Sequence, residues 1–318
     1  MPEQDNYPPT PPRLSPWKLG GLSVKQLLLR VWHGMDEDDV TGRAAQLAYS
    51  FFFALFPLLI VLFAILGIMA GAGTHIREAL IAHLSSAMPS SAGDLIRHSI
   101  DEMSRASGSG KLSFGIVVAL ISASAGMTAL MDTLNAAYNV RDTRSFLKQR
   151  WQALWMTAVI GVLVLAAMTV ILYGNTIADS VTGMVGMGGA GNVIWKIVQW
   201  PIAVFFLLLT YSLIYYFGPD VEFPRWHWVT PGSAVGVFLW LAASFGLRVY
   251  LHYFNSYSKT YGSIGAVMIL MLWFYVTGLA ILIGGEFNVE IENAAAKRGA
   301  PAAKEKGQKH PEAPKEAA

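Results

Sequence analysis

Leu55-Phe56-Pro57-Leu58-Leu59-Ile60-Val61-Leu62-Phe63 is the stretch that decides the fold. A helix on a soluble protein keeps a polar stripe at 3.6-residue spacing, and this run has none. It sits inside residues 44–76, which contain no Asp, Glu, Lys or Arg. Crossing about 30 Å of hydrocarbon takes roughly 20 helical residues. Backbone groups in lipid must also be satisfied internally. The stretch therefore predicts a membrane-spanning helix over about 47–70.

Five more charge-free windows of similar length follow, at 112–131, 151–178, 197–219, 226–247 and 260–285. They predict spans near 112–131, 153–173, 198–217, 231–253 and 263–285. The whole chain agrees with this reading. Of its 318 residues, 54% are hydrophobic and 14% charged, against about 25% charged in a soluble domain. Mean hydropathy is +0.44. The fold class expected is all-α: a polytopic membrane protein of six transmembrane helices with short amphipathic interfacial helices.

Lys and Arg in the loops set orientation. Sixteen of them lie before span 1, after spans 2 and 4, and in the C-terminal tail; six lie on the opposite side. Both termini are therefore expected in the cytoplasm. Trp151, Trp155, Trp195, Trp200, Trp226 and Trp228 cluster at span edges, where amphipathic rings favour the interface. No cleavable signal peptide is read at the polar, proline-rich start.

Three regions follow from these assignments. Residues 1–20 form a proline-rich head, expected to be disordered. Residues 21–292 form the membrane domain, with 71–111 as its external loop. Residues 293–318, rich in Lys, Ala and Glu, cannot bury a core and are expected to be disordered. Residues 22–35 read as an amphipathic helix, lying either on the anionic leaflet or on the bundle. The run Asp36-Glu37-Asp38-Asp39 reads as a solvated turn before span 1; its spacing does not match a calcium loop.

The candidate functional residues are polar groups at span edges and devices within spans. Small residues four apart in span 2 (Gly115, Ala119, Ala123; Ser122, Gly126) let helix backbones approach closely. Asp132, Asn135 and Asn139 are expected on one helical face at its inner end. Glu286 and Asn288 close span 6. Arg248 lies at the outer edge, near a turn through Tyr261, Gly262 and Ser263, where Gly262 would supply a turn conformation. Pro57 should kink span 1. Arg43 and Tyr49 precede it. Ionisable groups at such depths are functional candidates by default. These eleven residues (Arg43, Tyr49, Pro57, Asp132, Asn135, Arg248, Tyr261, Gly262, Ser263, Glu286 and Asn288) are read as a substrate or lipid pathway.

Enzymatic chemistry has little to stand on. There are no cysteines. The seven histidines show no HxH or HExxH spacing. No P-loop or nucleophile elbow occurs, and no basic patch interleaved with aromatics marks nucleic acid. No catalytic residue, metal or cofactor is expected.

Three blocks carry a family likeness. They are Arg43-Ala44-Ala45-Gln46-Leu47-Ala48-Tyr49-Ser50 leading to Phe56-Pro57, the segment Ala129 to Tyr138, and Tyr261-Gly262-Ser263-Ile264-Gly265-Ala266 continuing to Gly284-Gly285-Glu286-Phe287-Asn288. With them, residues 25–292 resemble the YihY/BrkB family of bacterial inner-membrane proteins, once labelled ribonuclease BN. The resemblance implies six spans and an inner-membrane location. It further implies links to virulence, and lipid movement across or from the inner membrane. Expected partners are membrane lipids and an envelope protein at the external loop. The rival functions are a non-transporting scaffold and, with least support, a ribonuclease.

Overall fold

The structure is a computed structural model. It describes residues 15–70, 110–172, 188–222, 228–253, 256–300 and 303–310; within these, the side chains of 59–70, 110–119, 168–169, 171–172, 188–194, 196, 256–264 and 266 are not described. The external loop lies almost wholly outside the described residues.

Among the described residues there is no strand. A 3₁₀ turn, Pro16–Gly21, leads into seven helices: α1 Val24–Glu37, α2 Val40–Ala70, α3 Gly110–Ala137, α4 Phe146–Leu172, α5 Gly188–Phe217, α6 Pro231–Tyr253 and α7 Ser256–Ala296. Each of the six expected spans overlaps one of α2 to α7, the span expected at 153–173 reaching one residue past the described end of α4. Among the described residues, four helical segments are long and apolar enough to cross a membrane, namely Phe146–Ala167, Ile197–Phe217, Pro231–Tyr253 and Val267–Ala296. Helices α2 and α3 run for 31 and 28 residues, about 46 and 42 Å at 1.5 Å per residue.

The apolar stretches of those four spans are only 11–28% buried. Large side chains such as Phe238, Phe245, Val162 and Leu165 point outward. A surface of that kind is stable against hydrocarbon and costly against water. The protein is a helical membrane protein.

Local sequence explains where the helices begin. Ser23 and Gln26 form a capping box at α1, each side chain taking the other's backbone N–H, as this pattern favours. Thr230 and Ser233 do the same for α6, and Pro231 occupies the first helical position, where its missing N–H costs nothing. Asp39, with φ 48°, accepts the Gly42 N–H at 3.1 Å and opens α2.

The best-packed core lies at one end of the bundle. Ala44 and Leu47 (α2), Leu130 and Leu134 (α3), Tyr211, Ile214 and Tyr215 (α5), Val237 (α6), and Ile281 and Leu282 (α7) bury one another there. The starts of α2, α4 and α6 and the ends of α3, α5 and α7 meet at this same end, called the polar end below. Its contacts include Gly232 to Asn288 and Arg144 to Gly218. Helix α4 joins through Met131, Ala153 and Met156.

Several expectations need correcting. Residues 15–21 are ordered, not a disordered head: Gly20 is buried against the end of α7, where a Cβ would stand 2.4 Å from the Ile291 carbonyl oxygen. Residues 293–310 are ordered wherever they are described. Ala294 and Ala295 are buried at the end of α7, and beyond them the lysines find carboxylates on the helix ends. Tyr261, Gly262 and Ser263 lie within helix α7, not in a turn. Asn139 takes φ 53° beyond the end of α3, so it leaves the face it was to share with Asp132 and Asn135. Pro57, by contrast, stands inside a helix as expected, with α2 running on through it.

Helix α1 packs on the bundle, as one of the two readings expected. Leu27 and Val31 pack on Ile291 of α7, while Val24, Leu28, Leu29 and Trp32 form an adjacent exposed apolar face.

Candidate functional site: the polar end of the bundle

Three polar groupings share this end. The first knits the α3–α4 loop to the end of α5. Asn135 is buried. Its amide donates to Asp142 Oδ2 at 3.1 Å, and its Oδ1 accepts the Asp220 N–H at 2.5 Å. The Arg144 side chain is 5% exposed. It donates to Asp142 through Nε (2.9 Å) and Nη2 (2.5 Å), and to the Gly218 carbonyl at 3.1 Å. Thr143 donates its N–H and hydroxyl to Asp220 Oδ2 at 2.8 and 2.9 Å. Gln149 bridges Asp132 and Asp142. Beside this network opens a cleft of about 680 Å³, lined by Arg144, Lys148, Gln152, Tyr216, Asp220 and Lys309 among others.

The second grouping is a strap, residues 303–310. Lys304 donates to Glu292 and to the Glu222 carbonyl, both at 2.6 Å. Lys306 pairs with Asp38 at 2.6 Å. Lys309 pairs with Asp220 and also reaches the Thr143 hydroxyl at 2.7 Å. His310 lies 3.0 Å from Glu222. The strap thus ties α7 to the α1–α2 turn, the α3–α4 loop and the segment after α5.

Electrostatics follow from these partners. Burial alone would raise the Asp220 carboxyl, but Lys309 and the two Thr143 donors outweigh it and hold it at about 2, below the ordinary 3.8. Burial likewise opposes ionisation of Asp142, and hydrogen bonds from Arg144 overcome it, leaving that carboxyl lowered. Burial disfavours the Lys306 ammonium, but Asp38 and the acids beyond it hold it above the ordinary lysine value. A carboxyl lowered by folding stabilises the fold above its unfolded value and loses that contribution as pH falls through its folded value. Stability should therefore drop between about pH 4 and pH 2. Thermal unfolding in detergent checks this, and Asp220→Asn should flatten the decline in that window.

The third grouping surrounds Glu286 on α7. Its side chain is fully buried, and neither carboxyl oxygen has a hydrogen-bond partner. Asp38, Glu290 and Lys306 act on it electrostatically, and the Asp38 carboxyl is close enough to share a hydrogen bond with it once one of the two carries a proton. Gly34 of α1 leaves it room: a Cβ there would stand 2.9 Å from Oε2. Nearby on α7, the amide oxygen of buried Asn293 is also unpartnered.

The structure gathers some of the expected residues and scatters others. Asp132 and Asn135 enter the loop network. Glu286 and Asn288 close α7, with the Asn288 oxygen accepting the Gly232 N–H at 3.0 Å. Arg43 donates to the Asp38 carbonyl at 2.7 Å. Tyr49 instead faces outward, its ring 4.6 Å from Phe53, and Arg248 is exposed on α6. The side chains of Tyr261, Gly262 and Ser263 are outside the described ones. Pro57 lies mid-helix, remote in sequence from the polar residues of α2.

Sequence reasoning missed Asp142, Arg144, Asp220 and the three strap lysines. The charges in Arg141-Asp142-Thr143-Arg144 were read only for topology. Lys304-x-Lys306-x-x-Lys309 was assigned to a disordered tail. Among the described residues, no group of three or more His, Asp or Glu is placed to hold a metal ion.

The profile of a family described as virulence factor BrkB matches residues 31–308. That stretch includes most of the strap, beyond the limit of 292 expected from the resemblance. A ribonuclease-like protein of Bacillus subtilis (strain 168), YfkH, is 31% identical over 247 residues, covering 78% of this chain and 88% of its own. A UPF0761 membrane protein of Stenotrophomonas maltophilia (strain R551-3) is 25% identical over 81% of this chain. This chain spans 59% of the length of that relative. A UPF0761 membrane protein of Tolumonas auensis is 24% identical, with 82% of each chain covered. No solved structure matches.

Proposed function

The chain belongs to the virulence factor BrkB family of membrane proteins, and on that premise we propose that it moves or handles a lipid or an amphipathic anion at a bacterial inner membrane. In this reading α2 to α7 are six spans, and the polar end with both termini faces the cytoplasm. The excess of Lys and Arg on that side supports the orientation. So does the gathering of the 3₁₀ turn and the strap at one end. The exposed apolar face of α1, with Lys25 and Arg30 beside it, suits the anionic headgroup layer. In this reading an envelope partner meets the external loop.

The single observation that carries the reading is Glu286, an acid fully buried in a membrane helix with no partner for its oxygens. Such groups are costly and mark substrate or ion pathways. The neighbouring cleft, with Lys148 and Lys309 at its wall, suits an anionic headgroup. Purified protein in liposomes should accelerate exchange of a labelled anionic lipid between leaflets. Glu286→Gln should slow that exchange at least ~tenfold if the acid lies on the pathway. No acceleration by the native chain would overturn the reading.

One observation favours a scaffold instead. Leu47, Met131, Leu134 and Leu282 fill the described core at the polar end almost without exposure, and a solid core serves attachment better than passage. In that case deletion within the external loop abolishes function, and Glu286→Gln does not. The ribonuclease-like name of the Bacillus relative finds no three-ligand metal cluster among the described residues to support it here.

A further inference from the structure

Glu286 faces groups from four elements. Asp38 comes from the α1–α2 turn, Glu290 from α7 itself and Lys306 from the strap. Tyr138, just past α3, is close enough for the Glu286 charge to act on it. Gly34 of α1 supplies the space in front of Oε2. A bare carboxylate in this place lacks the donors that normally compensate a buried charge.

Two remedies exist, a bound cation or a bound proton. A hard metal ion collects six or more oxygen ligands, and the described residues offer no cluster of three acidic or histidine ligands. The nearest built-in cation is Lys306, whose Nζ is committed to Asp38 at 2.6 Å and makes no hydrogen bond with Glu286. Two further acids nearby, Asp38 and Glu290, oppose a third negative charge. A proton needs no coordination shell and removes that charge.

We propose that Glu286 is a proton-binding site and that the strap, latched by the Lys306–Asp38 pair, is its cover. Glu286 takes one proton from water at the polar end and becomes a neutral carboxylic acid. When the strap lifts, it returns the proton to water. The use of this proton to drive lipid or anion movement rests on the function proposed above; its presence does not.

Infrared spectroscopy of the purified full-length chain tests the site without any transport assay. At neutral pH the native protein should show the carbonyl stretch of a buried un-ionised carboxyl. That band should vanish in Glu286→Gln and return at a changed frequency in Glu286→Asp. In heavy water it should shift slowly, and Lys306→Ala should speed the shift at least ~tenfold by freeing local opening. Identical spectra for native protein, Glu286→Gln and Glu286→Asp would overturn the proton site. A shift equally fast with and without Lys306 would overturn the cover. Should Glu286→Gln fail to fold, the change of frequency in Glu286→Asp carries the assignment. Liposomes that show no lipid movement would sink the transport reading and leave these spectra as they are.

Discussion

Gly284→Ala should be among the most damaging single-methyl changes available in this protein. Helices α6 and α7 touch backbone to backbone at this point. A Cβ on Gly284 would stand 2.5 Å from the Gly232 carbonyl oxygen and would run into the Tyr215 hydroxyl. Neither obstacle can yield cheaply. The Gly232 backbone is held by Asn288, which accepts its N–H at 3.0 Å. The Tyr215 hydroxyl donates to the Ile281 carbonyl at 2.8 Å. The helices must separate, and the packing of Val237, Ile281 and Leu282 loosens with them. Overpacking of this kind costs about 1–3 kcal/mol, and a rigid backbone contact belongs at the upper end. Thermal unfolding in detergent should show the loss. Gly246→Ala on α6 is the control, since nothing lies within 4 Å of a Cβ there. It should be neutral or stabilising by about 0.5–1 kcal/mol through helix propensity. Equal effects from the two substitutions would mean that α6 and α7 do not meet in this way.

That contact shows where sequence reading stops. The long helices were legible because lipid imposes a one-dimensional rule, a long run without charge, and each expected span overlaps one of α2 to α7. Which helix faces which is a two-body question that hydropathy does not address. The small-residue rows of span 2 drew attention by number, and Gly126 does approach α2, where its Cβ would lie 3.1 Å from that of Ala54. The Gly232-x-x-x-Gly236 spacing on α6 is the same signal, and it marks the tighter junction with Gly284.

Polar residues were legible where they follow a long charge-free window. Glu286 and Asn135 stand at or just past the ends of such windows, so each stood out as a candidate, and both are buried at the polar end. Arg144 and Asp142 sit among other charges, where ordinary loop solvation explains them as well as partnership does. The tail misled for a physical reason. Composition tests whether a segment can bury its own apolar core. The strap docks on charges that the helix ends already present, and its affinity comes from complementarity to a surface built by distant residues. Tyr261-Gly262-Ser263 misled differently: glycine permits a turn but does not require one.

Lys304 tests whether that complementarity is energetically real. Its side chain is 1% exposed, and its ammonium joins Glu292 to the Glu222 carbonyl, both at 2.6 Å. Lys304→Met keeps the length and apolar stem while removing the charge. Breaking one partner of a buried pair costs about 3–5 kcal/mol, because the other is left uncompensated. The protein can limit that cost by releasing the strap, which returns Glu292 to water. The largest loss the variant can show is therefore the free energy with which the strap docks. A loss of about 3 kcal/mol corresponds to a rise of roughly a hundredfold in the open fraction. Hydrogen exchange across residues 303–310 should read it, while amides in the middle of α6 stay protected. Glu292→Gln combined with Lys304→Met removes the stranded charge and should recover part of the protection, a coupling that only directly interacting side chains produce. If Lys304→Met left exchange in the strap unchanged, the lysine would contribute nothing to docking. Latching would then have to rest on Lys306 and Lys309, whose side chains are 18% and 23% exposed and more open to screening by salt.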